Sequence, residues 1–167
     1  LQHFSAMLRD GHGGLATNLT DTQMPKDIYQ IVCDKVIHRL KKSDDLLAQQ
    51  WLKFGFDRKA TKRSVMVLPY GGTRFSSVEF IDEYLSDRVA KGEHMPFDNR
   101  GEACKYLGYL IYDSIGDTVS KAREAMAWLQ EIAKLIAKLN APVEWETPLG
   151  FPIRQAYYDT TDLVVRT

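Results

Sequence analysis

Apolar residues return at helical intervals along most of the chain. After Pro25 and Asp27, the residues Ile28, Val32, Val36 and Leu40 recur every fourth position. This predicts an amphipathic helix ending near residue 41, with Pro25 at its first position and Asp27 in its first turn. The KKSDD stretch breaks that helix, and a second helical pattern over 46–54 stops at Gly55. A third runs from Asp57 to Tyr70, halted by Gly71 and Gly72, and a fourth covers 76–90. Residues 91–102 read as a surface loop, and two longer helices follow. In the second of these, over 117–139, Val119, Ala122, Met126, Leu129, Ala133 and Ile136 alternate spacings of three and four. Trp128, Ile132, Leu135 and Leu139 widen the stripe, so this helix is expected to be buried on two sides.

The two ends of the chain are patterned differently. Residues 1–10 read as a short helical or extended-to-helical segment, and 10–22, rich in Gly, Thr, Asn and Asp, read as a loop. The GHGG within it lacks both the GK[ST] ending and the preceding apolar strand of a phosphate loop, so it reads as a plain turn. After Pro142, Val143 and Trp145 alternate with Glu144 and Glu146, TPLG makes a turn, and Phe151 and Ile153 alternate again. The expected fold is mainly α, with one small strand pair over 143–153.

Composition narrows the function classes. With 167 residues, 44% of them hydrophobic, the chain is long enough for one compact domain. Lys plus Arg and Asp plus Glu balance at 22 each, so no global field holds it on nucleic acid, and any phosphate contact must be local. Cys33 and Cys104 belong to no CxxC or Cys/His ligand spacing and read as reduced thiols. No apolar run is long enough for a membrane span, and no signal-peptide pattern is present. The chain opens at Leu1 on residues already patterned and closes in the apolar run Leu163, Val164 and Val165, so it reads as an excised piece.

The chemically unusual segment is the third helix. Arg58 and Lys62 stand four residues apart, about 40° around the axis, so both cations project from nearly one face. Lys59 and Arg63 add charge, Asp57 is the only acid nearby in sequence, and something anionic should sit opposite. Met66 and Tyr70 continue the same face at steps of four. A lone R-x3-K is ordinarily a solvated basic face; here the cationic end passes into an apolar and aromatic end, the polarity of a nucleoside triphosphate. Pro69 removes the bond its N–H would make to the carbonyl of Val65, and so bends the helix end beside the diglycine.

The run Arg58, Lys62, Met66, Tyr70 and Gly71 resembles the fingers-helix motif shared by single-subunit phage-type RNA polymerases and family A DNA polymerases. The phrases LQHFSAMLRD, DIYQIV, TKRSVM and WETPLGFP look like the phage-type RNA polymerase versions in the same order, over nearly the whole chain. The resemblance implies a helical fingers subdomain over 23–167, truncated at the promoter-reading loop near Tyr157, and a palm remnant over 1–22. It assigns Arg58, Lys62 and Arg63 to the triphosphate, with Lys62 also the general acid, and Met66 and Tyr70 to the rest of the nucleotide. Tyr29, Tyr70 and Gly71 become template contacts, and Tyr70 the residue that reads the ribose 2′-OH. Val67 stands where the family usually has Thr or Pro, and Gln30 where the best-known relatives have Gly.

For the complete polymerase the resemblance further implies two Mg²⁺ ions, held by aspartates that lie outside this chain, so the piece alone is expected to be inactive. Implied partners are DNA template and promoter, nascent RNA and ribonucleoside triphosphates, with no membrane, for an enzyme acting as a monomer. The implied location is an infected host cell or a mitochondrion. Two other readings are a family A DNA polymerase, against which Met66 speaks because those enzymes place an aromatic there, and a non-enzymatic helical module docking on nucleic-acid backbone.

Overall fold

The computed structural model describes residues 1–156. Tyr157 and the run Leu163, Val164 and Val165 lie outside the described residues. The described residues form two compact units that divide after Met126.

Side-chain caps set where the helices of the first unit begin. Asp10 accepts from the N–H of Gly13 at the head of α2 (Gly11–Ala16), which follows α1 (Gln2–Met7). Asp27 accepts from Tyr29 and Gln30 at the head of α3 (Ile28–Lys41), Asp45 from Leu47 in α4 (Leu46–Phe54), and Asp57 from Lys59 in α5 (Arg58–Val67). Each satisfies backbone donors that the first helical turn leaves free. Thr73 and Ser76 exchange bonds in a capping box, which starts α6 (Arg74–Ala90) two residues ahead of the apolar pattern. Asn99 caps α7 (Arg100–Gly116), and α8 (Ser120–Lys138) follows.

Several expectations are corrected. Asp27 is the cap of α3 and not a first-turn residue, and Pro25 lies outside that helix. The GHGG segment is helical. A Cβ at position 13 would lie 2.6 Å from Ser5 Oγ and 2.7 Å from Asp10 Oδ2, so glycine there lets α2 close against α1. Residues 100–102 belong to α7, and Phe97 of the preceding loop is buried. In α8 only Ala122 is buried, whereas Trp128, Leu129, Leu135 and Leu139 are exposed. Its apolar stripe is therefore not buried on two sides among the described residues. Periodicity reveals that a face seeks cover, not what covers it.

The core of the first unit is built from Val32, Val36, Leu40, Val65, Ile81, Leu85, Leu107, Ile111 and Ile115, all fully buried. Trp51 of α4 sits among Phe54, Phe56 and Phe97, and its Nε1 donates to the carbonyl of Ala103 at 3.0 Å. Gly108 of α7 lets that helix approach α6, since a Cβ would stand 2.9 Å from the backbone of Val78. Through this packing α3, α6 and α7 hold α5 between them.

Both cysteines are free and buried. Burial, with smaller contributions from nearby carboxylates, pushes the thiols of Cys33 and Cys104 up to about 11. At pH 8 roughly one thiol in a thousand is then thiolate. We expect both to resist a thiol reagent until denaturant is added; modification within the mixing time would contradict the packing described.

In the second unit β1 (Val143–Glu146) pairs antiparallel with β2 (Pro152–Gln155), placing Trp145 opposite Ile153. Glu144 and Arg154 pair across the strands at 3.2 Å. The expected mainly α fold with one small strand pair is the one observed.

Candidate nucleotide site on the basic helix

The α5 helix is continuous through Arg58, Lys62 and Met66, then tightens at Leu68–Tyr70 into a single 3-10 turn. Pro69 accounts for the change, because its ring nitrogen has no hydrogen to continue the α pattern. Gly71 follows with φ of 87°, a left-handed conformation suited to glycine, and its N–H donates to the carbonyl of Leu68 at 3.2 Å. Gly72 donates to the carbonyl of Val67 at 3.0 Å and closes the helix end. Tyr70 is thereby carried out of the core and is 88% exposed.

A cleft of about 660 Å³ opens beside this helix. Arg58, Met66, Pro69 and Tyr70 form one wall, and Lys26, Asp27 and Tyr29 stand on another. The amide of Asn18 donates to the carbonyl of Lys26 at 2.8 Å and pins that wall. The hydroxyl of Thr61 bonds the carbonyl of Tyr29 at 2.8 Å, fixing α5 against the start of α3.

Of the site residues read from sequence, Arg58, Met66, Tyr70 and Tyr29 therefore share one cleft. Lys62 stands exposed on the same helix, one turn after Arg58 and one before Met66, but is not part of the cleft lining. Arg63 faces elsewhere: it pairs with Glu83 of α6, and its guanidinium lies 4.5 Å from the centre of the Phe80 ring. That placement follows from its position five residues, about 140°, around the helix from Arg58. Gly71 forms the turn after Tyr70.

Arg58 has a partner that sequence reasoning missed. Its Nε donates to Oδ2 of Asp27, and its guanidinium lies 4.9 Å from the centre of the Tyr29 ring. Part of the anion expected opposite the basic helix is thus the protein's own, Asp27 for Arg58 and Glu83 for Arg63. Desolvation works against the charged form of Asp27. The bond from Arg58 and the N–H groups of Gln30 and Tyr29 outweigh it and hold the carboxyl below its ordinary value. Asp27 lies 31 residues from Arg58, and the sequence pattern placed it only near the start of its own helix.

Among the described residues no group of three or more His, Cys, Asp or Glu is placed to hold a metal ion. The described residues therefore do not fit the implied Mg²⁺. No helix among them is long and apolar enough to cross a membrane.

Residues 1–167 match the model of the DNA-dependent RNA polymerase family, to which this chain belongs. The chain is 36% identical to the DNA-directed RNA polymerase of Enterobacteria phage T3 and 34% identical to T7 RNA polymerase of Escherichia phage T7. In each comparison the match covers 94% of this chain and 22% of the relative. It is 33% identical to the mitochondrial DNA-directed RNA polymerase of Mus musculus, over 99% of this chain and 14% of that protein. The chain thus spans about a fifth of the length of the phage enzymes. The family match sets aside the DNA polymerase reading.

Proposed function

We propose that this chain is the part of a DNA-directed RNA polymerase that receives the incoming ribonucleoside triphosphate and the templating strand. The observation that carries the reading is the cleft in which Arg58 and Met66 of α5 and Tyr70 of the turn that follows meet Tyr29. Residues 1–22 belong to the palm edge and 23–167 to the fingers. The partners are DNA template and promoter, nascent RNA and nucleotides, for an enzyme working as a monomer in an infected host cell or an organelle.

In this reading Arg58 and Lys62 take the phosphates, with Arg63 adding positive charge from the far side of the helix. As the RNA 3′ hydroxyl gives its proton to solvent and its oxygen bonds to the α-phosphorus, the bond to the bridging oxygen breaks and negative charge gathers on pyrophosphate. The ammonium of Lys62 gives that oxygen a proton. Met66 supplies apolar contact for the sugar and base, while Tyr70 and Tyr29 stack at the templating position beside Gly71. The Mg²⁺ ions that the resemblance implies are assigned to carboxylates outside this chain.

The hydroxyl of Tyr70 is the test. A site that satisfies a hydrogen bond from the ribose 2′-OH rejects sugars lacking it. In the complete polymerase we expect Tyr70→Phe to lower ribonucleotide over deoxyribonucleotide preference by about one order of magnitude, the size of one lost hydrogen bond. The present chain alone, as the control, gives no RNA. Unchanged discrimination would contradict the assignment, and steep salt-sensitive DNA binding indifferent to nucleotides would favour the non-enzymatic module.

A further inference from the structure

The two oxygens of Asp27 have different duties. Oδ1 accepts from the N–H of Tyr29 at 2.9 Å and of Gln30 at 3.3 Å, capping α3. Oδ2 accepts from Nε of Arg58. Both side chains line the cleft, and each is 41% exposed, so their pairing faces the space a nucleotide would enter. The Tyr29 ring beside the guanidinium further fixes Arg58 in this position.

From this arrangement we propose that Asp27 is an internal competitor of the triphosphate: its carboxylate holds the Nε donor of Arg58 and offsets part of its charge, and an incoming phosphate must displace it to use the full guanidinium fork. The inference rests on the reading of Arg58 as a phosphate ligand. A guanidinium has several N–H donors in a planar fork, and carboxylate and phosphate oxygens seek the same geometry. Holding Arg58 on Asp27 weakens capture of any nucleotide, because part of the phosphate's gain is spent breaking an existing pair. A ligand that offers the fork only one weak acceptor would not displace it. The contact therefore sets a threshold that favours a polyanion over a neutral nucleoside.

The test separates the two duties. Asn caps helices as well as Asp does, so Asp27→Asn keeps the Oδ1 contacts while replacing Oδ2 by an amide that cannot accept from Arg58. Steady-state kinetics of the complete polymerase on a primed template should show KM for ribonucleoside triphosphates falling about two- to five-fold, the span of a partly exposed ion pair, with kcat little changed. Asp27→Ser, which also caps, should reproduce the fall, and thermal melting checks that both variants are folded. Arg58→Gln in parallel should raise KM, and the double variant Asp27→Asn with Arg58→Gln should match Arg58→Gln alone.

If Arg58→Gln raises KM but neither Asp27 variant lowers it, the competition is overturned and the phosphate role stands. A rise in KM in both folded Asp27 variants would also overturn it, since Asp27 would then be presenting Arg58 to the nucleotide. If Arg58→Gln leaves KM unchanged, the reading of the site itself fails.

Discussion

Lys62→Met in the complete polymerase is expected to lower kcat by about two to four orders of magnitude, the contribution of a positioned proton donor. Methionine keeps the unbranched stem and a good helix propensity, so α5 should form unchanged. Lys62 is exposed, and among the described residues it makes no ion pair, so stability should move by less than about 0.5 kcal/mol. Lys62→Arg discriminates charge from proton transfer. Arginine keeps the cation but holds its proton too tightly to donate it, so nucleotide KM should be largely preserved while kcat stays low. Equal recovery of kcat by arginine would show that charge alone suffices, and pre-steady-state quench of single-nucleotide addition measures it directly.

Trp51→Ala is expected to cost about 3–5 kcal/mol, the range for emptying a buried aromatic position. The side chain is fully buried, lies 4.6 Å centre to centre from the Phe97 ring, and supplies the donor for the carbonyl of Ala103. Truncation leaves a cavity at the junction of α4 and α7 and removes the Nε1 bond to the carbonyl of Ala103. Hydrogen exchange in the complete polymerase should show amides of α4 and α7 opening roughly two to four orders of magnitude more readily. Trp51→Phe should cost less, because it restores most of the volume and loses only the Nε1 bond. Protection unchanged by Trp51→Ala would contradict the position of Trp51 in this core.

Much of this was legible because local chemistry dictated it. Gly55 ends α4, the residues from Ile28 to Leu40 keep one face, and Pro69 with Gly71 ends the basic helix, as their propensities require. The alternation around Trp145 and Ile153 located the strand pair. What escaped depended on contacts distant in sequence or on local exceptions. Gly13 counted as a helix breaker, yet it sits in a helix capped by Asp10, where Ser5 and Asp10 leave no room for a Cβ. Asp27 could be seen as a residue at a helix start but not as the partner of Arg58, since only packing of α3 against α5 brings them together. Arg63 belonged by composition to the basic cluster, and its angle around the helix delivers it to Glu83 instead. The stripe of α8 carried no information about its cover, and among the described residues Trp128 remains 61% exposed.

The claim on which the functional reading turns is that one face of α5 receives the nucleotide, phosphates toward its start and sugar toward its end. The most direct measurement is a structure of the complete polymerase with primed template and a non-hydrolysable ribonucleoside triphosphate. The account predicts phosphate oxygens at hydrogen-bond distance from Arg58 and Lys62, with the ribose beside Tyr70. A triphosphate bound away from α5, with Arg58 still on Asp27 and Lys62 in solvent, would contradict it.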